Sequence, residues 1–176
     1  MKANLIITTC VAILFSLASC KPDKKDLIIG LWQEVKIVNP QMDNALEEQR
    51  LFLDTVGRNT DSAANLSLYG VSNIDSFKQG IRTNIDSFKK AEGKAVSETW
   101  FDFHTSGLVY LHSEEGLDSA NWYFDDDGAL MLDEEKLKGN GSRIRMTVEA
   151  LNDTAMQLHY SEQYLSSTAH FRRVKR

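Results

Sequence analysis

Two hydrophobic periods divide the chain. Residues 27–38 read Leu27-Ile28-Ile29-Gly30-Leu31-Trp32-Gln33-Glu34-Val35-Lys36-Ile37-Val38. From Gln33 they alternate polar and apolar beside the large anchor Trp32, which predicts a strand that Pro40 ends. The period then becomes helical over residues 42–56. Met42, Leu46, Leu53 and Val56 share one face, with Ala45 and Phe52 beside it and Glu47, Glu48 and Arg50 opposite. Residues 57–72 are rich in Asn, Ser, Thr and Gly and predict a loop. Next, Asn73-Ile74-Asp75-Ser76-Phe77-Lys78 recurs as Asn84-Ile85-Asp86-Ser87-Phe88-Lys89. That offset is about three helical turns, so both copies face one way. Ile74, Phe77, Ile81, Ile85 and Phe88 then form one stripe on a helix over 72–91, with Ser72 and Asp75 as its capping box and Gly93 as its stop. A stripe this apolar must cover something, either the wall of the fold or one of its ends.

From Val96 onward the runs are short, alternating and punctuated by turns. Strands are predicted over 96–104, 108–112, 120–124, 129–133, 143–151, 155–162 and 169–174. Thr105-Ser106-Gly107, Glu114-Glu115-Gly116, Asp126-Asp127-Gly128, Lys138-Gly139-Asn140-Gly141 and Asn152-Asp153 separate them. With the first strand this makes eight. The predicted fold is mainly β: an eight-stranded antiparallel up-and-down barrel with a helical insertion, residues 41–95, between its first two strands. A two-sheet sandwich is the competing arrangement.

The first twenty residues are different again. Lys2 is their only charge, and the apolar run through Phe15 ends in Leu17-Ala18-Ser19-Cys20. A short apolar segment behind a positive start predicts a secretory signal over 1–19. The final tetrapeptide resembles the bacterial lipobox, in which the cysteine is acylated and the signal removed just before it. Cys20 is thus the expected lipidation site, residues 20–26 a polar mobile tether, and 27–176 the barrel domain. The other cysteine, Cys10, leaves with the signal, so no thiol nucleophile remains in the mature chain.

A net charge of −5 among 176 residues argues against a nucleic-acid binder that relies on phosphate contacts. Hydrophobic residues at 42% and charged residues at 26% suit a packed soluble domain. Candidate chemistry is sparse. Asp125-Asp126-Asp127-Gly128 with Glu134 has the composition of a calcium loop, but Asp-Gly is itself a hairpin signal. His104, His112, His159 and His170 lack metal-ligand spacing. Neither a metal site, a cofactor nor a catalytic set is predicted. Phe101, Phe103, Trp122 and Tyr160 are candidates to line a pocket, with plain barrel core as the alternative.

Gly30-Leu31-Trp32 on the first strand, behind a lipobox and a short tether, resembles the opening of lipocalin-like lipoproteins of Bacteroidota. Asn121-Trp122-Tyr123-Phe124 before Asp-Gly and the basic last strand fit the same family. The resemblance implies a barrel base built from Gly30 and Trp32, with an arginine of the last strand, Arg173, lying across the tryptophan. It also implies a membrane partner through the lipidated Cys20, an outer-membrane address, and a non-catalytic binding module for a small apolar ligand. The alternative is a structural or interaction subunit with a filled barrel and an envelope protein as partner.

Overall fold

The alternating runs close on themselves. Eight strands follow chain order around an antiparallel up-and-down barrel: β1 (Gly30–Val38), β2 (Trp100–Phe103), β3 (Leu108–Ser113), β4 (Gly116–Phe124), β5 (Leu130–Asp133), β6 (Arg143–Leu151), β7 (Ala155–Glu162) and β8 (Leu165–Arg173). β8 returns to pair with β1, so no sheet edge is left open. The structure, a computed structural model, describes residues 23–58, 60–162 and 165–175. The signal segment and Cys20 lie outside the described residues.

Alternation sends one side chain in two into the interior, where Trp32, Phe103, Val109, Trp122, Leu130, Met156 and Leu158 form a continuous buried core. β1 carries a bulge between Glu34 and Lys36 that changes its parity. Before the bulge the inward residues are Trp32 and Glu34; after it, Ile37 lines the interior. Val35 at the bulge is 49% exposed. A second register shift in β6, between Val148 and Ala150, brings Leu151 against the core beside Val148.

One barrel end is sealed. A short helix, α1 (Lys24–Ile28), begins where Asp23 accepts a hydrogen bond from the Lys25 amide at 3.0 Å. Its last residue, Ile28, is fully buried in the barrel core. The expectation of a mobile tether through Asp26 is corrected here: the polar Lys24-Lys25-Asp26 stretch forms the first turn of a helix because Ile28 must reach the core.

The other end carries the insertion. Asn39 caps α2 (Pro40–Thr55) by accepting from the Met42 amide, and its own amide donates to the Ser167 hydroxyl at 3.1 Å, tying the helix to β8. Then come α3 (Ser62–Tyr69) and the long α4 (Ile74–Glu98). The 57–72 segment predicted as loop thus holds a helix, capped by Asp61 on the Ala64 amide. It exposes Leu66 and Leu68 at 58% and 63%, so no amphipathic signal marks it. The long helix also differs from its prediction. Asn73, not Ser72, caps it, and it runs through Gly93 to Glu98, so the second strand starts at Trp100 rather than Val96. Tertiary bonds hold this extra turn: the Gln33 side-chain amide donates to the carbonyls of Val96, Ser97 and Thr99, and His112 donates from Nδ1 to the Glu98 carbonyl at 2.9 Å. A further short helix, α5 (Glu134–Lys138), follows β5, and β8 begins at Leu165 rather than Ala169. The stretch Ser166-Ser167-Thr168 has no apolar alternation, yet it pairs with β7 and β1.

Candidate functional site

The barrel base is built on an aromatic–cation stack. Trp32 is fully buried, and its indole N–H donates to the Ile28 carbonyl at 2.7 Å. The Arg173 guanidinium lies 4.4 Å from the centre of the Trp32 ring, within cation–π range. Its two terminal nitrogens donate to the carbonyls of Leu27 and Ile29, the otherwise unsatisfied groups at the end of α1. Gly30 completes the arrangement. Its φ is +122°, and a Cβ there would stand 2.9 Å from an Arg173 nitrogen, so both backbone and space require glycine. Gly30, Trp32 and Arg173 therefore meet at one place, and that place is closed.

Above it the four candidate pocket aromatics separate. Phe103 and Trp122 pack in the core near the base: Phe103 pairs opposite Gly30 low in the barrel, and Trp122 packs edge-on against it, donating its N–H to the His104 carbonyl. Their inward positions lie in the lower, filled half of the barrel. Phe101 and Tyr160 lie nearer the insertion and line a cavity of about 530 Å³. Its walls come from β1, β2, β6, β7 and β8, and its roof from α4 through Phe88, Ala91, Ala95 and Val96. The phenylalanine stripe of α4 is thus divided. Phe77 packs edge-on against Phe52 of α2, whereas Phe88 faces the barrel mouth.

The cavity is mostly apolar, with Glu34 set inside it. Glu34 is only 7% exposed and faces inward because it precedes the β1 bulge. Burial pushes its carboxyl up to about 7 from an ordinary 4.5, partly offset by the Thr99 side chain beside it. Sequence reasoning missed this residue. The signal was present: Trp32 and Ile37 cannot both face inward on a regular strand, so a bulge must intervene, and Glu34 shares the side of Trp32.

The raised value has a testable consequence. Between pH 4.5 and 7 the unfolded chain releases the Glu34 proton while the native state still holds it. The native state then binds more protons, so this group's contribution to stability falls as pH rises through that window and stays flat above it. At most ~1.4 kcal/mol is lost per pH unit, giving about 1–3 kcal/mol in all. Glu34→Gln should remove that slope. Urea melts at pH 5 and pH 8 would show wild type losing stability relative to the variant on going to pH 8; parallel behaviour of the two would show that Glu34 ionises as freely in the native state as in the unfolded one.

The other candidate chemistry has structural work. Asp125 accepts hydrogen bonds from the Asp127 and Ala129 amides and pairs with Arg145 at 2.9 Å, as a hairpin turn requires. Those contacts hold its carboxyl below the usual range, the Ala129 amide foremost. Asp133 caps α5 and pairs with Arg143. Glu134 accepts from Ser142 across the next loop. On the outer sheet face, Ser166, His159 and Glu149 lie in a row across β8, β7 and β6. However, Thr168 holds His159 Nδ1 at 3.1 Å while Glu149 stays 3.9 Å away, and the barrel cavity does not reach them. This row is a cross-strand polar ladder.

No family model matches the chain, and no curated protein does. Among solved structures, the chain is similar to the crystal structure of a DUF4847 family protein from Bacteroides vulgatus ATCC 8482, with a TM-score of 0.43 and 8% sequence identity over 87% of this chain and 98% of that one.

Proposed function

We propose that this chain is a lipocalin-like, lipid-anchored binding module of the cell envelope that holds a small apolar ligand inside its barrel. The observation that carries the reading is the cavity of about 530 Å³ at the insertion end, a volume within the range of small-molecule sites. The sealed base leaves the rim beside α4 as the way in. A filled barrel, the premise of the interaction-subunit alternative, lacks such a space. The exposed Leu66 and Leu68 of α3 still offer a surface for an envelope protein partner.

The anchor gives the module an orientation. Cys20 precedes the base helix by only a few residues, and each spans at most ~3.6 Å. Acylation at Cys20 would hold the start of the base helix within about 15 Å of a bilayer and turn the mouth away from it. Ligand would then exchange with the aqueous compartment or with a partner protein rather than directly with the anchoring leaflet.

Titration with an uncharged apolar fluorescent probe tests the reading. Wild type should show saturable uptake of one probe per chain. Ala95→Phe, which places a ring beneath the roof of the cavity, should abolish it without unfolding the barrel. Equal uptake by the two proteins would place the probe elsewhere, and no uptake by wild type would favour the interaction reading.

A further inference from the structure

The charged groups lining the cavity all have one sign. Glu34 lies inside, Glu92 and Glu114 stand at the roof and rim, and among the described residues no lysine, arginine or histidine lines the cavity. The nearby cations stand at the rim or outside the cavity. Lys94 pairs with Glu98 at 3.8 Å and with Glu114 at 3.7 Å, while Lys36 and Lys89 line a neighbouring cleft that shares Glu92 and Val96. The remaining lining groups able to hydrogen-bond are neutral: Asn39, Thr99, Tyr160 and Ser167. Of these, Asn39 and Ser167 bond each other, and the Thr99 hydroxyl donates to the Ala95 carbonyl at 2.9 Å.

Resting on the binding-module reading, we infer that this cavity selects amphiphiles with a cationic amine head and rejects those with a carboxylate head, with Glu34 as the specificity-determining residue. A buried carboxylate is costly without a charged partner, and an ammonium delivered on an apolar chain supplies that partner through a charge-assisted hydrogen bond. The surrounding Phe101, Met146, Leu158 and Phe171 would take the chain. A carboxylate head would meet the buried Glu34, with Glu92 and the half-exposed Glu114 beyond it and Lys94 already shared between Glu98 and Glu114 at the rim. An alcohol head stands between the two, because it donates one hydrogen bond and brings no charge. The ionisable side chains around such a ligand are Glu34, Glu92, Glu114 and Tyr160, with Lys94 beside Glu114 at the rim.

Dodecylamine, dodecanol and dodecanoate share one chain length and isolate the head group. Each would be used below its micelle concentration at pH 8 to displace the uncharged probe. The protein would be the chain from Lys21, which retains every described element of the fold. The expected order is amine, then alcohol, then carboxylate, with amine at least about tenfold tighter than carboxylate, a gap of ~1.4 kcal/mol. Glu34→Gln should lower amine affinity to that of the alcohol, and the variant should still bind dodecanol, which reports that the cavity is intact. Dodecanol binding with equal amine and carboxylate affinities would overturn the selectivity and leave the binding-module reading standing. Retention of the amine preference by Glu34→Gln would overturn the assignment to Glu34. Failure of all three to bind wild type would overturn the reading itself.

Discussion

Trp32→Ala is expected to lower the stability of the barrel by ~3–5 kcal/mol, the cost of emptying a large aromatic site in a packed core. Three observations set the expectation at the high end. The indole is fully buried, its N–H satisfies the Ile28 carbonyl, and its ring carries the Arg173 guanidinium. Truncation leaves a void beneath β1 and removes the face on which Arg173 rests. It also leaves the last carbonyls of α1 to a less firmly held arginine. Against a typical net stability of ~5–15 kcal/mol, such a loss moves the urea midpoint far. The measurement needs a protein that begins at or before Lys21, because a start after Asp26 would cut through α1. A loss below ~1 kcal/mol would show that the base tolerates an empty site and that Trp32 is not its keystone.

Cys20→Ala is expected to move the protein from the membrane fraction to the soluble fraction, provided it is made behind a leader whose removal does not need the cysteine. Each buried methylene of an acyl chain contributes ~0.8 kcal/mol, so two or three chains hold a protein firmly on a bilayer. Among the described residues no helix is long and apolar enough to span one. Fractionation before and after a high-salt wash decides the matter. If the variant still pellets with membranes, the anchor is something other than Cys20.

The architecture was legible because barrel strands and their turns leave strong local marks. Asp126-Asp127-Gly128 gave its hairpin, and Trp100 pairs with His112 across β2 and β3 as the turn glycine at Gly107 dictates. Gly30 and Trp32 were legible as a motif, although the reason for the glycine, the approach of Arg173, needed coordinates. What escaped was decided by tertiary contact. The last turn of α4 persists past Gly93 because Gln33 and His112 bond its final carbonyls. The turn at Lys24 is helical because Ile28 docks in the core. The site itself was half legible. Phe101 and Tyr160 line the cavity, but Phe103 and Trp122 sit too near the sealed base, and height along a barrel is not written in residue type. Glu34 escaped because a charged residue on a strand reads as solvent-facing until the bulge beside it is recognised.

The most direct test of a ligand-holding barrel is the location of a bound molecule. Methyl-resolved NMR of the soluble chain would be recorded while dodecanol is added. The account predicts saturable shifts at Ile37, Met146, Leu158 and Ala169, which line the cavity, with Ile28 and Val109 at the base little changed. Shifts confined to Leu66 and Leu68 on α3, or none at all, would contradict it.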